Sequence, residues 1–263
     1  MRAERATGWR IALTGPSGRN EELAAAIAAE GGIALVHPLI AYDRVGASPE
    51  TDAALGRMAR YDWLVFTSAT AVEFFHQLPG VAGATSLPRL AAVGPATAQA
   101  VRAMLGPAAL VSAAQTGEGL AAELLAAGAA ERVLLPASDI ASPRLARELR
   151  GAGVAVDSLT VYRTVAAPGA SGLVDAIGAG IVDVILLASP SAARALADAV
   201  SRADGGRELV PPVICIGPST GEESVRLGLE VAAVAARHDR AGLLHALLDW
   251  IELHPELRHA ATR

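Results

Sequence analysis

The stretch Asp62-Trp-Leu-Val-Phe-Thr-Ser68 is the strongest indication of the fold. Its four consecutive apolar residues follow an aspartate and lead into a turn that contains a serine. The same pattern returns 121 positions later as Asp183-Val-Ile-Leu-Leu-Ala-Ser189. A strand that is apolar on both faces is typical of a parallel sheet with helices on both sides. The two stretches therefore predict two such central strands, one in each half of the chain.

The repeat extends outward from these strands. Leu90-Ala-Ala-Val-Gly-Pro-Ala-Thr97 recurs as Val213-Ile-Cys-Ile-Gly-Pro-Ser-Thr220, and the halves open with Arg10-Ile-Ala-Leu and Arg132-Val-Leu-Leu. Ten apolar runs, of which Ala34–Ile40 is one, alternate with about eight alanine-rich segments of helical period. Ten strands exceed what one minimal open sheet needs. We predict an α/β protein with two domains.

The composition excludes several classes of chemistry. All 22 basic residues among the 263 are arginine, so the chain has no lysine for a phosphate-binding P-loop or a Schiff base. A net charge of −5 and an aromatic content of 3% argue against binding to nucleic acid. No dinucleotide fingerprint or metal-ligand motif occurs. We expect no cofactor and no metal.

The expected location is the cytoplasm. The lone cysteine, Cys215, excludes a disulfide within the chain, and the first ten residues lack the apolar segment of a secretory signal. No apolar run reaches the length of a membrane span, so we expect no membrane association. We also expect a monomer.

Small polar or glycine-containing turns follow most of the predicted strands, at the points where helices begin. Helix N-termini carry unpaired N–H groups and a partial positive charge, and ligands of parallel sheets lie at the carboxyl ends of strands. Capping of the helix is the alternative role for each hydroxyl. Eight such turns in two matched sets indicate a polyanionic ligand in a cleft between two similar domains. The turns are residues 14–18, 67–70, 94–97, 116–119, 136–139, 189–191, 217–220 and 238–242.

Seven short motifs follow one another in a fixed order: Phe66-Thr-Ser68, Val93-Gly-Pro-Ala-Thr97, Thr116-Gly-Glu-Gly-Leu120, Val161-Tyr-Arg-Thr164, Ser189-Pro-Ser191, Ile216-Gly-Pro-Ser-Thr220 and Ala241-Gly-Leu-Leu244. Their order and spacing resemble those of the uroporphyrinogen-III synthase family, and the resemblance runs from about Arg10 to Ile251. Gly15 differs from the family pattern, which often has an arginine directly after the threonine of the first strand. Arg19 is the residue that could take its place.

The resemblance implies an arrangement of domains that cannot be derived from the periodicity of the sequence. Family members have two flavodoxin-like parallel-sheet domains joined by a two-stranded hinge linker. Carried over to this chain, one domain is discontinuous and comprises residues 10–40 and 170–251, and the other comprises residues 45–159. Residues 38–42 and 160–164 would then be the linkers.

The resemblance also implies the reaction. It is the closure of hydroxymethylbilane to uroporphyrinogen III, with inversion of ring D and loss of water. The substrate is a linear tetrapyrrole with eight carboxylates, and no cofactor takes part. The alternatives from the residues are a non-catalytic two-domain protein that binds a polyanion and, with less support, a pair of flavodoxin-like signalling domains.

The candidate site residues follow from the matched motifs. Tyr162 is the candidate general acid for the departing hydroxyl, and its alternative role is to pack the linker. Backbone N–H groups are expected to matter more than the hydroxyls at the serines after the two central strands. The candidate substrate-binding residues are Thr14, Ser68, Gly94, Thr97, Thr116, Ser138, Ser189, Ser191, Gly217 and Thr220.

Overall fold

The computed structural model describes residues 4–46, 48–82, 86–128, 131–167, 169–202 and 210–257. No helix within these ranges is long and apolar enough to cross a membrane. The strands described are β1 Arg10–Leu13, β2 Ile33–Val36, β3 Ile40–Arg44, β4 Trp63–Phe66, β5 Arg89–Ala92, β6 Leu110–Val111, β7 Arg132–Ser138, β8 Ala155–Ala166, β9 Val184–Leu187, β10 Val213–Cys215 and β11 Val231–Val234. The α-helices described are α1 Glu21–Ala29, α2 Pro49–Gly56, α3 Ala69–His76, α4 Pro95–Met104, α5 Gly117–Ala126, α6 Arg144–Gly151, α7 Ala170–Gly178, α8 Pro190–Ser201, α9 Pro218–Arg226 and α10 Arg240–Leu253.

One predicted strand is divided in the structure. The run Ala34–Ile40 separates into β2, which ends at Val36, and β3, which begins at Ile40. His37 N donates to Leu13 O at 2.9 Å and Leu39 N donates to Thr14 O at 3.1 Å, so the segment stays hydrogen-bonded along β1 on both sides of Pro38. The helix α2 was not predicted, since it buries only Thr51 and Ala54 and has no apolar stripe.

The chain divides into two compact units. Unit 1 is Met1–Ala41 with Val165–Arg263, and unit 2 is Tyr42–Thr164. The chain changes unit within β3 and again within β8. A hinge role for residues 38–42 and 160–164 stays a prediction.

Unit 1 contains a five-stranded sheet in the order β11-β10-β9-β1-β2. All four neighbouring pairs are parallel. Numbered along the chain within the unit, this is the flavodoxin-like order 2-1-3-4-5 read from the other edge.

Unit 2 contains a six-stranded sheet in the order β3-β8-β7-β4-β5-β6. The pairs from β8 to β6 are parallel. The βαβ unit of β7, α6 and β8 takes the place that β1, α1 and β2 take in unit 1. The predicted α/β class with parallel sheets is thus confirmed.

The two central strands are buried on both faces, as their sequences predicted. In β9, Ile185 and Leu187 pack under α7 and α8, whereas Val184 and Leu186 point to the opposite face against α1 and α10. Full burial of one such side chain stabilises the fold by about 2 kcal/mol. β4 repeats the alternation in unit 2, where the odd-numbered residues face α5 and α6 and the even-numbered ones face α3 and α4.

The aspartate at the start of each repeated stretch fastens its central strand to a neighbour. Asp183 Oδ2 accepts a hydrogen bond from Arg10 N at 2.8 Å, and Asp183 Oδ1 forms an ion pair with Arg10 Nη2 at 2.6 Å. Asp62 Oδ2 accepts bonds from Glu131 N at 2.8 Å and from Arg132 N at 2.9 Å. Each aspartate thus fixes the register between the central strand and the first strand of the adjacent repeat.

Candidate functional site

The carboxyl edge of the unit 2 sheet carries two capped helix starts. Ser68 Oγ accepts a hydrogen bond from Ala71 N at 3.1 Å, and Thr116 Oγ1 accepts one from Gly119 N at 3.1 Å. Both hydroxyls therefore satisfy an N–H group of their own helix. The side chains of these two candidate residues therefore act as helix caps, which was the alternative to ligand binding.

Unit 1 repeats the pattern at its own carboxyl edge. Ser189 Oγ accepts from Ala192 N at 3.2 Å and lies 2.9 Å from Ser191 Oγ. Asp239 Oδ1 caps α10 by accepting from Gly242 N at 2.6 Å. A hydroxyl or a carboxylate thus fills the capping position at each of these starts.

Removal of the Ser189 hydroxyl tests whether capping is its main role. We expect Ser189→Ala to lose about 1 kcal/mol of unfolding free energy, because the N–H of Ala192 loses its partner. We expect kcat to stay within about threefold of wild type, since the other N–H groups of the turn are unchanged. Urea unfolding and steady-state assays measure the two quantities.

Ser191→Ala is the matched control, because it removes the adjacent hydroxyl and leaves the cap in place. Its expected change in unfolding free energy is within about 0.5 kcal/mol. A large fall in kcat for Ser189→Ala without loss of stability would instead place that hydroxyl on the substrate.

The starts of α4 and α9 have no capping side chain. Their N-cap residues are Gly94 and Gly217, each with an extended backbone and each followed by proline. Neither helix has a side-chain cap hydrogen bond, and both lie wholly within the described residues. No side-chain oxygen of the described residues accepts from the first-turn N–H groups of these two helices, and the same holds for α1, whose N-cap is Asn20.

A neighbouring side chain leans over each of these glycines. A Cβ on Gly94 would lie 3.3 Å from Gln115 Cγ, and a Cβ on Gly217 would lie 3.1 Å from His238 Cδ2. Gln115 has a φ of 53°, which a residue with a side chain rarely adopts. The correspondence between Gln115 and His238 was not predicted from the sequence. The signal was available, since each directly precedes the N-cap residue of the next helix in the repeat.

The two threonines of the Gly-Pro turns were predicted to contact the ligand, but both are buried. Thr97 and Thr220 lie in the first turns of α4 and α9, with exposures of 5% and 1%. Ser224 Oγ donates to Thr220 O at 2.8 Å, which ties that turn to the middle of α9. Their roles in binding stay predictions.

The first loop of unit 1 is built around Thr14 and Gly15. Thr14 is buried and its hydroxyl donates to Leu186 O at 2.7 Å, which joins β1 to β9. A Cβ on Gly15 would lie 2.7 Å from Asn20 Oδ1, and Asn20 Nδ2 donates to Gly15 O at 2.8 Å. A residue with a Cβ at position 15 would therefore have to displace the buried side chain of Asn20.

The prediction that residues 136–139 form a helix start is wrong. Ser138 is the last residue of β7, where it pairs with Tyr162, and α6 begins only at Arg144. β7 pairs with β4 only at Val133 and Leu134, so Pro136 lies beyond that ladder and the strand continues through it. Ser138 stays a candidate for binding, but as a strand residue.

Tyr162 lies in an aromatic cluster within unit 2. Its ring stacks on Phe74 with centroids 5.1 Å apart, and the edge of Tyr42 meets it at the same distance. Tyr162 is 7% exposed, and its carbonyl accepts from Asp139 N at 3.2 Å. The cluster fixes the ring plane and therefore the direction of its hydroxyl.

Two ion pairs lie at helix starts on the carboxyl edges. Glu118 Oε1 pairs with Arg144 Nη1 at 3.1 Å in unit 2, and Glu22 Oε2 pairs with Arg240 Nη1 at 3.3 Å in unit 1. The N–H of Glu118 itself and then the Arg144 guanidinium hold the pKa of the Glu118 carboxyl below its usual value. Among the described residues, no three or more His, Cys, Asp or Glu side chains gather as a metal site.

The family model described as uroporphyrinogen-III synthase HemD matches residues 21–245, which include parts of both units and most of these turns. The chain belongs to this family. The predicted family is therefore confirmed. A search of the curated proteins found no match.

Solved synthase structures share the fold. A mutant uroporphyrinogen III synthase from Thermus thermophilus is 20% identical and has a TM-score of 0.67, with 93% of this chain and 99% of that chain covered. The uroporphyrinogen-III synthetase of Helicobacter pylori is 16% identical with a TM-score of 0.60, and 92% and 99% are covered. At these identities the likeness concerns the fold.

Proposed function

We propose that the chain closes hydroxymethylbilane to uroporphyrinogen III, with inversion of ring D and loss of water. The observation that carries this proposal is the match to the synthase family over residues 21–245. The helix starts support it, because each unit presents its own set of backbone N–H groups at a carboxyl edge and the substrate carries eight carboxylates.

The reaction needs no electron carrier, which supports a cofactor-independent lyase. Substrate and product differ by one water. The hydroxyl leaves as water after protonation, and the ring D carbon that already bears the chain attacks the resulting cation to give a spiro intermediate. The older bond from that carbon to the methylene bridge of ring C then breaks, the bridge bonds to the free α-carbon of ring D, and that carbon loses its proton. The proton used in the first step is thus returned and there is no net oxidation or reduction, so proton transfer and positioning supply the catalysis.

The assignment of residues follows the same chemistry. Tyr162 donates the proton to the departing hydroxyl, and the aromatic cluster keeps its ring in one orientation. The N–H groups after Gly94 and after Gly217, which have no capping side chain, hold carboxylates. The capped turns at Ser68, Thr116 and Ser189 add the remaining N–H groups of their first turns.

The product isomer tests the proposal directly. The protein is mixed with freshly prepared hydroxymethylbilane, and the oxidised porphyrin isomers are then separated by chromatography. We expect type III, because an unguided chain closes to type I. Heat-denatured protein is the control. Type I alone from the folded protein overturns the proposal.

The expected state in solution is a monomer that acts in the cytoplasm. A single chain already provides both units and both sets of helix starts. Light scattering behind a sizing column, at the protein concentration of the assay, measures the mass.

A further inference from the structure

Corresponding helix pairs in the two units are joined by ion pairs of opposite polarity. Under the repeat, α5 corresponds to α10 and α6 corresponds to α1. In unit 2 the acid is on α5 and the base is on α6, as Glu118 and Arg144. In unit 1 the base is on α10 and the acid is on α1, as Arg240 and Glu22. Each unit thus places one arginine between two helix starts at its carboxyl edge.

Both arginines occupy a position where a positive charge is unfavourable. Arg144 and Arg240 are the first residues of α6 and α10, and neither helix has an acidic residue in its first turn, although the carboxylate of Asp239 caps α10. A cation near a helix N-terminus opposes the macrodipole. Helix stability therefore does not explain why an arginine is the first residue of both helices.

Both guanidinium groups remain accessible to solvent. The side chains of Arg144 and Arg240 are 68% and 48% exposed. Exposed ion pairs are weak, so a carboxylate of a ligand can replace Glu118 or Glu22 at little cost. The exchange keeps the guanidinium paired, because one carboxylate takes the place of another.

We infer that Arg144 and Arg240 each bind a carboxylate of the linear tetrapyrrole, and that Glu118 and Glu22 compete with the substrate for them. The inference rests on the proposed function for the identity of the ligand. In the free protein the acid holds each guanidinium at the start of its helix. In the complex a carboxylate of the substrate replaces that acid.

The test compares variants in which either the base or the acid of a pair is removed. We expect Arg144→Gln and Arg240→Gln each to raise KM about tenfold with kcat within about twofold, since each loses one charge-assisted hydrogen bond. We expect Glu118→Gln and Glu22→Gln to lower KM about twofold, because the competing acid is gone. A merely structural ion pair would move KM in the same direction whichever partner is removed.

Arg226→Gln is the matched control. Arg226 pairs with Glu223 at 2.7 Å and is 64% exposed, but it lies in the last turn of α9, at the opposite end of a helix. We expect its KM to equal that of wild type. Thermal unfolding of all five variants shows whether each is folded at the assay temperature.

A binding measurement keeps the two proposals separable. Uroporphyrin III, a fluorescent octacarboxylate, is titrated with each protein, and its Kd needs no turnover. We expect the Kd to rise about tenfold for each arginine variant and to fall for each acid variant. Arginine variants with wild-type Kd and KM overturn the inference, and so does a Glu118→Gln protein that binds as weakly as Arg144→Gln. Wild-type protein that forms only the type I isomer overturns the proposed function instead.

Discussion

Tyr162→Phe should lower kcat by about 100-fold while the protein stays folded, since general acids contribute about 10²- to 10⁴-fold to rates. The substitution removes only the hydroxyl. The ring keeps its stacking on Phe74 and its edge contact with Tyr42, so the packing of the cluster is retained. Single-turnover assays with hydroxymethylbilane measure the rate of the chemical step, and thermal unfolding measures the stability.

Tyr61→Phe is the control for the loss of a tyrosine hydroxyl elsewhere in unit 2. Tyr61 donates to Asp157 Oδ2 at 2.7 Å, away from the helix starts. Its removal should cost about 1 kcal/mol of unfolding free energy and leave kcat unchanged. Wild-type turnover in Tyr162→Phe would remove Tyr162 from the mechanism and leave it the packing role that its aromatic neighbours already indicate.

The parallel sheets could be predicted because their central strands are buried on both faces. Trp63–Phe66 and Val184–Leu187 are continuous apolar runs, and burial on both sides of a sheet requires that pattern. The repeat placed the corresponding strands and turns in the two halves. Local pattern therefore determines which elements form and in which order.

The assignment of elements to units could not come from that pattern. The segment β7-α6-β8 belongs to the second repeat but lies in the sheet of unit 2, with strands of the first repeat. β1-α1-β2 makes the reciprocal exchange into unit 1. The two βαβ segments have equivalent apolar patterns, so exchanging them leaves every local signal unchanged. Only the resemblance to the family implied the discontinuous domain.

The candidate site shows the same limit at the level of single side chains. A serine or threonine at a helix start caps the helix and also marks an anion site, and the sequence does not distinguish the two. The structure separates Ser68 and Ser189, whose hydroxyls are used as caps, from Gly94 and Gly217, whose helix starts have none. Ion pairs between helices distant in sequence, such as Arg240 with Glu22, leave no local signal.

Asp183→Ala should be the most destabilising of the substitutions considered, with a loss of about 3 to 5 kcal/mol in unfolding free energy. The Asp183 side chain has 0% exposure and accepts from Arg10 N, Nε and Nη2 at 2.8, 3.1 and 2.6 Å. Its removal leaves a backbone N–H and a guanidinium without their acceptor in a largely dry environment. It also releases the register between β9 and β1, the two strands on which the unit 1 core is built.

Asp62→Ala is the matched control in unit 2, at the corresponding position of the repeat. Among the described residues the Asp62 side chain accepts only backbone N–H bonds, and it is partly solvated, so we expect a loss of about 1 to 2 kcal/mol. Tryptophan fluorescence in urea reports on each unit, because Trp9 and Trp250 belong to unit 1 and Trp63 to unit 2. With Trp63 replaced by Phe the signal follows unit 1 and reports on Asp183→Ala, and with Trp9 and Trp250 replaced by Phe it follows unit 2 and reports on Asp62→Ala. A smaller loss for Asp183→Ala than for Asp62→Ala would show that the buried ion pair with Arg10 contributes nothing beyond the backbone bonds.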